Sequence, residues 1–346
     1  MNTMTLPAFY DPNNVVSDRW INYVELQAEA ARTRKQYGMK ASATDKFKLG
    51  VLAIDVQNTF CDPQGELFVA GMSGTAAVDD ARRLVEFIYR NLPVITNITA
   101  TLDTHRIYAI FHPMFWVDGN GDHPAAFATI THDDVVNGVW QPNPLMTSAL
   151  GISLMAAQKH AEHYTAELES RGRYALTVWP YHGILGDKGH TLVSGLAEAM
   201  AFHGMVRGAQ PGIEIKGTHP LIENYSVLGP EVKTLGNGTP VPRNVKLLKS
   251  LMEYDALVIT GEAKSHCLSW SIDDILNEIL ATDPVLARKV YILEDCTSSI
   301  VVKDAAGGII HDYGPEADKA FDRYRSAGMN IVKSTDPIDT WPGIKL

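Results

Sequence analysis

The sequence is poor in cysteine and has neither a long apolar segment nor an N-terminal secretion pattern. Its 346 residues include three cysteines, too few and too odd in number for a disulfide framework, which favours a reducing compartment. No apolar stretch approaches the roughly 18–20 residues that span a bilayer. The N-terminal segment lacks the charged-then-apolar pattern of a signal peptide. We therefore expect a cytoplasmic protein.

Basic residues are also in the minority. Lys and Arg total 30 against 40 Asp and Glu, a formal net charge of −10, and no basic run reverses this locally. Such a chain has no general electrostatic attraction to nucleic acid or to anionic membranes, so we expect neither as a partner. Hydrophobic residues make up 45% and charged residues 20%, which predicts a folded chain with a sizeable core rather than disorder.

Short apolar runs alternate with segments of helical spacing. The predicted strands are 49–56, 93–103, 174–179, 256–261, 289–295 and 329–334. The predicted helices are 18–36, 76–91, 147–170, 192–203, 269–281 and 316–328. This alternation predicts an α/β fold with three Rossmann-like layers and a mostly parallel sheet of about six strands. The carboxyl ends of parallel strands share one edge, where ligands usually bind.

The sequence divides into an N-terminal arm, residues 1–46, and one domain, residues 47–346, with insertions near 111–173 and 229–245. Such insertions are more often lids or subunit contacts than separate domains. The arm and the first insertion carry aromatic residues that would be unfavourable as exposed patches. These are Phe9, Tyr10, Trp20, Tyr23, Phe115 and Trp116. We therefore expect a homo-oligomer in which the arm or the insertion crosses the subunit boundary.

Cys267 is the strongest candidate nucleophile. It closes the segment GEAKSHC (261–267), between a predicted strand and a predicted helix. A thiol at a helix N-terminus has a lowered pKa, and backbone amides there can hold an oxyanion. The alternative is a small buried hydrophobe, the commoner role of a lone cysteine. Cys61 and Cys296 also follow strands but open no predicted helix, so both are weaker candidates.

Two charged residues end apolar runs. Asp55 ends the first predicted strand, where a carboxylate is costly unless it is paired. It is either a structural residue bonded to loop amides or a general base facing the thiol. Lys216 closes the short run IEIK. It is either solvated or paired with Asp55, where it would stabilise a thiolate.

A possible metal site lies in the same edge of the predicted sheet. Asp103 and His105 form a D-T-H triplet at the end of a strand, and residues i and i+2 of an extended segment point to one side. His182, in WPYH, would be a third ligand. A carboxylate and two imidazoles with open positions are typical of an accessible divalent-metal site. His112 and His123 are weaker candidates.

Together these segments resemble the isochorismatase-like cysteine hydrolases, and within them the nicotinamidase type. The segments are IDVQNTFC, LDTH, WPYH, KGTHPLIENYSV and GEAKSHC, and the resemblance covers roughly 49–334. It implies hydrolysis of a small, nicotinamide-like carboxamide to an acid and ammonia through a thioester. Asp55 would be the base, Lys216 would stabilise the thiolate and Cys267 would attack the carbonyl.

The resemblance implies further details of the site. A cis peptide would join Glu262 and Ala263, and the amides of Ala263 and Cys267 would form the oxyanion hole. Phe60 and Trp179 would sandwich a flat ring of the substrate, although both would otherwise be read as core residues.

The same resemblance implies a divalent ion, zinc in the first instance, on Asp103, His105 and His182. The ion would bind the ring nitrogen or a water and would position the substrate. The thiol already supplies the nucleophile, so the ion would not be needed to activate one.

The sequence also departs from that family. Lys264 and Ser265 replace a short polar and acidic pair, and Gly183 replaces a frequent cysteine. The insertion at 110–124 adds Phe115, Trp116 and His123 near the expected entrance. These departures keep open a related amidase acting on a carbamoyl, ureido or bulkier amide. A non-catalytic binding protein is disfavoured, because it would not need acid, base and thiol together. Isochorismate hydrolysis is disfavoured by Cys267, because that reaction uses no cysteine nucleophile.

Overall fold

The central sheet has six parallel strands. The computed structural model describes residues 4–170, 174–304 and 306–346. The strands along this part of the chain are β1 (Leu49–Ile54), β2 (Ile95–Asp103), β3 (Trp116–Val117), β4 (Thr129–Ile130), β5 (Gln141–Pro142), β6 (Leu176–Thr177), β7 (Gly212–Lys216), β8 (Ala256–Gly261), β9 (Val290–Leu293), β10 (Val301–Lys303), β11 (Ile309–Asp312) and β12 (Asn330–Val332). The sheet order is β12-β9-β8-β1-β2-β7, and every pairing within it is parallel.

Helices cover both faces of this sheet. The α-helices are α1 (Tyr23–Tyr37), α2 (Asn58–Cys61), α3 (Ala76–Arg90), α4 (His132–Val136), α5 (Pro144–Leu150), α6 (Leu154–Ser170), α7 (Ser194–Arg207), α8 (Val245–Met252), α9 (Ser269–Thr282) and α10 (Gly314–Ser326). Within the described ranges, none of them has the length and apolar character needed to cross a bilayer.

The buried strand β1 separates two hydrophobic cores. All six of its residues are buried, as is typical of a parallel strand covered on both faces. Val51 and Ala53 face the core formed with α3 and α7. Leu52 and Ile54 face the core formed with α8, α9 and α10. The predicted three-layer α/β fold with a parallel sheet of about six strands is therefore confirmed.

Two predicted elements differ from the structure. The predicted strand 174–179 is reduced to β6, which pairs antiparallel with β4 and lies outside the main sheet. The edge strand beside β2 is β7 instead. The predicted helix 147–170 is two helices, because Gly151 ends α5 with φ +67°, a left-handed cap that glycine adopts at little cost.

The insertion aromatics are buried inside their own chain. Phe115 and Trp116 are fully buried, and the Trp116 Nε1–H donates to the Ile110 carbonyl at 2.6 Å. The expectation that these two residues need the surface of a neighbouring subunit is therefore wrong. The first insertion folds as part of the domain because its aromatic residues supply core.

The arm also packs on its own domain. Phe9 contacts the rings of Tyr89 and Phe202 with centroids 5.8 and 5.1 Å apart, so its ring needs no second subunit either. Trp20 is 99% exposed and Tyr23 is 54% exposed. The homo-oligomer therefore stays a prediction that rests on these two side chains alone. Residues 1–3 of the arm lie outside the described residues.

Candidate active site

The sheet brings four predicted site residues to one edge. Asp55 follows β1, Asp103 ends β2, Lys216 ends β7, and Cys267 follows β8. These four strands are neighbours in the order β8-β1-β2-β7. Asp103 and Lys216 are register partners in the β2–β7 pairing. Because every strand here runs the same way, residues far apart in sequence meet at one edge.

The Lys216 ammonium lies at the centre of this group. Its Nζ is 2.9 Å from Asp55 Oδ2 and 2.8 Å from Asp103 Oδ1. The same Nζ lies 3.5 Å from the Cys267 sulfur and donates to the Asn224 carbonyl at 2.9 Å. Burial alone would lower the pKa of Lys216, but the two carboxylates raise it well above its usual value. Lys216 is therefore a permanently charged group beside the thiol.

Asp55 is held in an unusual backbone conformation. Its φ is +48°, in the left-handed region that few residues other than glycine adopt, although aspartate is among the more tolerant. The Thr101 hydroxyl donates to Asp55 Oδ1 and accepts from the Asp55 amide at 3.0 Å. Burial raises the pKa of Asp55, and the Lys216 charge opposes that shift. The carboxyl group is thus fixed in place and is more basic than an exposed aspartate.

Cys267 lies in a π-helical turn, Lys264–Leu268, that precedes α9. A cis peptide joins Glu262 and Ala263, as predicted. Before it, Gly261 has φ +114°, and a Cβ there would lie 2.0 Å from the Ile54 carbonyl oxygen. Only glycine allows this close approach of β8 to the end of β1. It brings the turn that carries Cys267 next to Asp55.

The environment of Cys267 favours the neutral thiol, contrary to the lowered pKa expected for a thiol at a helix N-terminus. Burial raises its pKa well above the usual value, the Lys216 charge lowers it, and the charges of Asp55 and Asp103 raise it further. One carboxylate oxygen each from Asp55 and Asp103 and the Cys267 sulfur all lie within 4.8 Å of one another. A neutral thiol must lose its proton to act as a nucleophile. Asp55 is the basic group within reach.

Three predicted metal ligands also converge. Ligand atoms of Asp103, His105 and His182 lie within 4.8 Å of one another, and all three residues are buried. Asp103 Oδ2 is 2.9 Å from His105 Nε2 and 3.6 Å from His182 Nε2. Burial alone would raise the pKa of Asp103, but its contacts with His105 and Lys216 hold the pKa well below its usual value. The group is a carboxylate facing two imidazoles.

Backbone carbonyls anchor both imidazole rings. His105 Nδ1 lies 3.3 Å from the Gly217 carbonyl, and His182 Nδ1 lies 2.8 Å from the Pro180 carbonyl. A carbonyl only accepts, so each Nδ1 donates to it, and the Nε2 atoms are the nitrogens that face Asp103. Two such nitrogens beside a carboxylate oxygen are a donor set suited to a metal cation.

His112, a weaker candidate from sequence, lies beside this group. Its ring centroid is 5.7 Å from that of His105 and 5.6 Å from that of His182. Burial, together with both neighbours, lowers the pKa of His112 to about 2. Its Nε2 is buried and has no hydrogen-bond partner among the described residues. Exposed His123 instead bonds to the Trp116 carbonyl.

A cavity opens above the thiol. Its volume is about 370 Å³, including the opening to solvent. Its lining consists of Phe60, Leu67, Asp103, His105, Trp179, His182, Glu223, Asn224, Tyr225, Ala263, His266, Cys267 and Ile300. Both predicted ring-binding residues, Phe60 and Trp179, belong to this lining. Phe115, Trp116 and His123 do not belong to it, so these three residues of the insertion do not shape the cavity.

Hydrogen bonds hold Trp179 in the cavity wall. Its Nε1–H lies 3.0 Å from both Glu223 Oε1 and the Tyr225 hydroxyl. Burial and the charge of nearby Glu231 raise the pKa of Glu223 well above its usual value, while its hydrogen bonds to Tyr225 and Trp179 oppose the shift. Glu223 and Tyr225 therefore fix the plane of the indole.

Several site residues were not singled out from sequence. Gln57 accepts from the Asp103 amide at 2.7 Å and donates to the Asp103 carbonyl at 3.0 Å, which anchors the end of β2. Its position two residues after Asp55 is the only sequence signal for it. Thr101, two residues before Asp103 on the same strand face, is a second such residue. His266, Glu223 and Tyr225 carried no recognisable sequence signal.

The other two cysteines are separate from this site. Cys61 is at the end of α2 and Cys296 follows β9, and both are buried. Burial raises the pKa of each thiol well above its usual value. Neither lines the cavity, and no cation neighbours Cys61 as Lys216 neighbours Cys267 among the described contacts. The preference for Cys267 agrees with this geometry.

No protein-family model matches this chain, and no curated protein does. Among solved structures, it is similar to a nicotinamidase/pyrazinamidase of Acinetobacter baumanii, with 19% identity and a TM-score of 0.49 over 85% of this chain and 99% of that one. The yeast nicotinamidase is 18% identical, with a TM-score of 0.46 over 82% of this chain and 99% of that one. A pyrazinamidase of Pyrococcus horikoshii solved with zinc is 17% identical, with a TM-score of 0.42 over 83% of this chain and 99% of that one. Sequence identities and TM-scores this low do not assign a function to the chain.

The first prediction concerns the Cys267 thiol. Asp55→Asn removes a negative charge beside the sulfur, so the apparent pKa of the thiol should fall. The measurement is the pH profile of alkylation by iodoacetamide at Cys267, located by peptide mass spectrometry and normalised to its plateau. Asp187→Asn, a change at an exposed carboxylate, is the control and should leave the profile in place. An alkylation profile that is unchanged or shifted to higher pH in Asp55→Asn would contradict the placement of the Asp55 carboxylate beside the Cys267 sulfur.

Proposed function

We propose that the chain is a cysteine amidohydrolase of the isochorismatase-like, nicotinamidase type. It would hydrolyse a small carboxamide to a carboxylic acid and ammonia. The observation that carries this proposal is the Lys216 ammonium, which lies 2.9 Å from Asp55 and 3.5 Å from the sulfur of Cys267. Cys267 in turn lines the cavity. A binding protein has no need for a buried base, cation and thiol in mutual contact.

Acylation begins with proton transfer from the thiol to Asp55. Lys216 stabilises the thiolate, which attacks the carbonyl carbon of the amide. We assign the resulting oxyanion to the backbone amides of Ala263 and Cys267, as the family resemblance implies. Both residues line the cavity. Protonated Asp55 then gives its proton to the departing nitrogen. Ammonia leaves, and a thioester remains on Cys267.

Deacylation uses the same base. Asp55 takes a proton from a water molecule, which attacks the thioester carbonyl and releases the carboxylic acid. The proton then returns to the Cys267 sulfur, so that the net reaction consumes one amide and one water. General-base catalysis contributes about 10²–10⁴-fold to a rate. That is the loss expected for Asp55→Asn in both half-reactions.

The cavity favours a small flat substrate. Phe60 and Trp179 supply aromatic walls. An offset or edge-on contact with such rings suits a planar acyl group. The bulkier amide considered from sequence rested on the insertion. Phe115 and Trp116 from that insertion are buried in the core rather than at the cavity, so this reason for a larger substrate is lost.

The donor set at the cavity fits a divalent ion, and we propose zinc. Asp103, His105 and His182 would hold it, since a carboxylate and two imidazoles are ligands that Zn²⁺ accepts. The buried Nε2 of His112 is a further nitrogen donor beside them. When bound, such an ion supplies a Lewis-acid contact that orients a nitrogen or oxygen of the substrate. The chain's own residues carry the proton transfers described above.

The second prediction assigns the nucleophile. Cys267→Ala should abolish ammonia release from a panel of primary carboxamides that includes nicotinamide, because no other group replaces the thiolate. Cys61→Ala is the matched control, since it deletes another buried sulfur outside the cavity, and it should keep most of the activity. Circular dichroism should show both variants folded. Ammonia release by folded Cys267→Ala at the wild-type rate would refute the proposal.

The third prediction concerns the metal. Protein purified without chelator should hold about one divalent ion per chain, since three protein ligands define one accessible site. His105→Ala should lose most of the ion, because one of the two imidazole donors is gone, whereas the exposed control His123→Ala should keep it. Elemental analysis gives the content directly. Wild-type protein free of divalent metal, or equal loss from both variants, would exclude this site.

A further inference from the structure

His266 offers the cavity a polar group that the proposed reaction does not use. It precedes Cys267 in the π-helical turn and lines the same cavity. It is 2% exposed, and its Nε2 is buried without a hydrogen-bond partner among the described residues. Buried polar atoms are nearly always hydrogen-bonded, because leaving one unpaired costs free energy. Because His266 lines the cavity, a ligand bound there is a candidate partner for this nitrogen.

The neighbour of His266 determines which nitrogen carries the hydrogen. Ser265 Oγ lies 2.9 Å from His266 Nδ1 and already accepts from the Ile300 amide at 3.2 Å. Among the described hydrogen bonds, the Ser265 hydroxyl has no partner other than Nδ1 to which it could donate, so we take it to donate to Nδ1. Nδ1 then accepts, so a neutral ring carries its hydrogen on Nε2. His266 therefore presents an N–H donor.

The surroundings keep that donor neutral and separate from the metal ligands. Four rings pack around His266, with centroids 4.8–5.5 Å away. They belong to Tyr174, Trp179, Tyr225 and Tyr313. Burial, with a smaller effect of His311, lowers the pKa of His266 to about 3. By contrast, His182 packs against Phe60, His105 and His112.

We propose that His266 is a specificity-determining residue whose Nε2–H binds a second hydrogen-bond acceptor on the substrate. This inference rests on the proposed function and narrows its substrate class. The acyl group would be a small flat ring with two acceptors. One would face the candidate metal site, and the other would accept from His266. A neutral N–H among aromatic rings provides no counter-charge for a buried anion, so an uncharged acceptor such as a ring nitrogen or a carbonyl suits it better.

Ring-isosteric amides can test this inference by binding. The probes are nicotinamide and three diazine carboxamides: pyrazine-2-, pyrimidine-5- and pyridazine-4-carboxamide. Each diazine keeps the ring nitrogen meta to the carboxamide and adds a second one at the ortho, opposite meta or para position. Isothermal titration calorimetry on the Cys267→Ala protein gives the dissociation constants without turnover. The same titrations on Cys267→Ala with His266→Phe remove the donor.

The quantity compared is the affinity ratio of each diazine to nicotinamide. For at least one diazine, His266→Phe should lower this ratio on the order of tenfold, the usual worth of one neutral hydrogen bond. The ratio cancels changes shared by all the rings, including a general loosening of the cavity. His266→Gln, which keeps a neutral N–H donor, should retain much of the ratio. His123→Phe, the same change at an exposed histidine, should not alter it.

Two outcomes overturn the inference. One is a ratio that changes by less than about twofold for every diazine, well below the loss of one hydrogen bond. The other is an equal loss in His266→Gln and His266→Phe, which would show that packing and not the donor matters. Either result leaves ammonia release by the wild-type protein unaffected. Conversely, a wild-type protein that binds these amides with the expected ratios but releases no ammonia would refute only the proposed function.

Discussion

A single buried ammonium holds the site together. Lys216 contacts Asp55, Asp103 and the Cys267 sulfur at once, and neither carboxylate is tolerable in the interior alone. A buried carboxylate without a partner is strongly destabilising, whereas a paired and hydrogen-bonded one is not. One ammonium for two carboxyl groups still leaves an excess of negative charge. That excess adds a reason for a cation on Asp103, His105 and His182.

In the proposed mechanism, the two carboxyl groups on either side of this lysine have different roles. On the Asp55 side, the carboxyl group is buried and more basic than usual, as a proton acceptor should be. On the Asp103 side, the carboxyl group is held well below its usual pKa, as a permanent anion and ligand should be. Burial and the charge of Asp103 raise the pKa of Asp55, whereas His105 and Lys216 lower the pKa of Asp103. Environment, not residue type, separates their roles.

Much of this could be predicted from sequence, and the reason is topological. Residues that end parallel strands must meet at one edge, so Asp55 and Asp103 could be placed together from the strand pattern. Lys216 closes the run IEIK, which was not among the predicted strands, and its place beside them followed from the family resemblance. The path of the irregular segments could not be predicted. Whether His266 faces the cavity depends on the π-helical turn. The aromatic residues of the insertion have the same composition whether they pack within a chain or between chains, which is why their destination was predicted wrongly.

The central claim is that the Cys267 sulfur carries the acyl group during turnover. The most direct measurement is acid quenching of the wild-type protein during hydrolysis of a carboxamide that it cleaves, followed by peptide mass spectrometry. The account predicts that the peptide containing Cys267 gains the mass of the acyl group, that Cys61 and Cys296 gain none, and that the adduct disappears when substrate is exhausted. An acyl group found on another residue while Cys267 stays unmodified would contradict it.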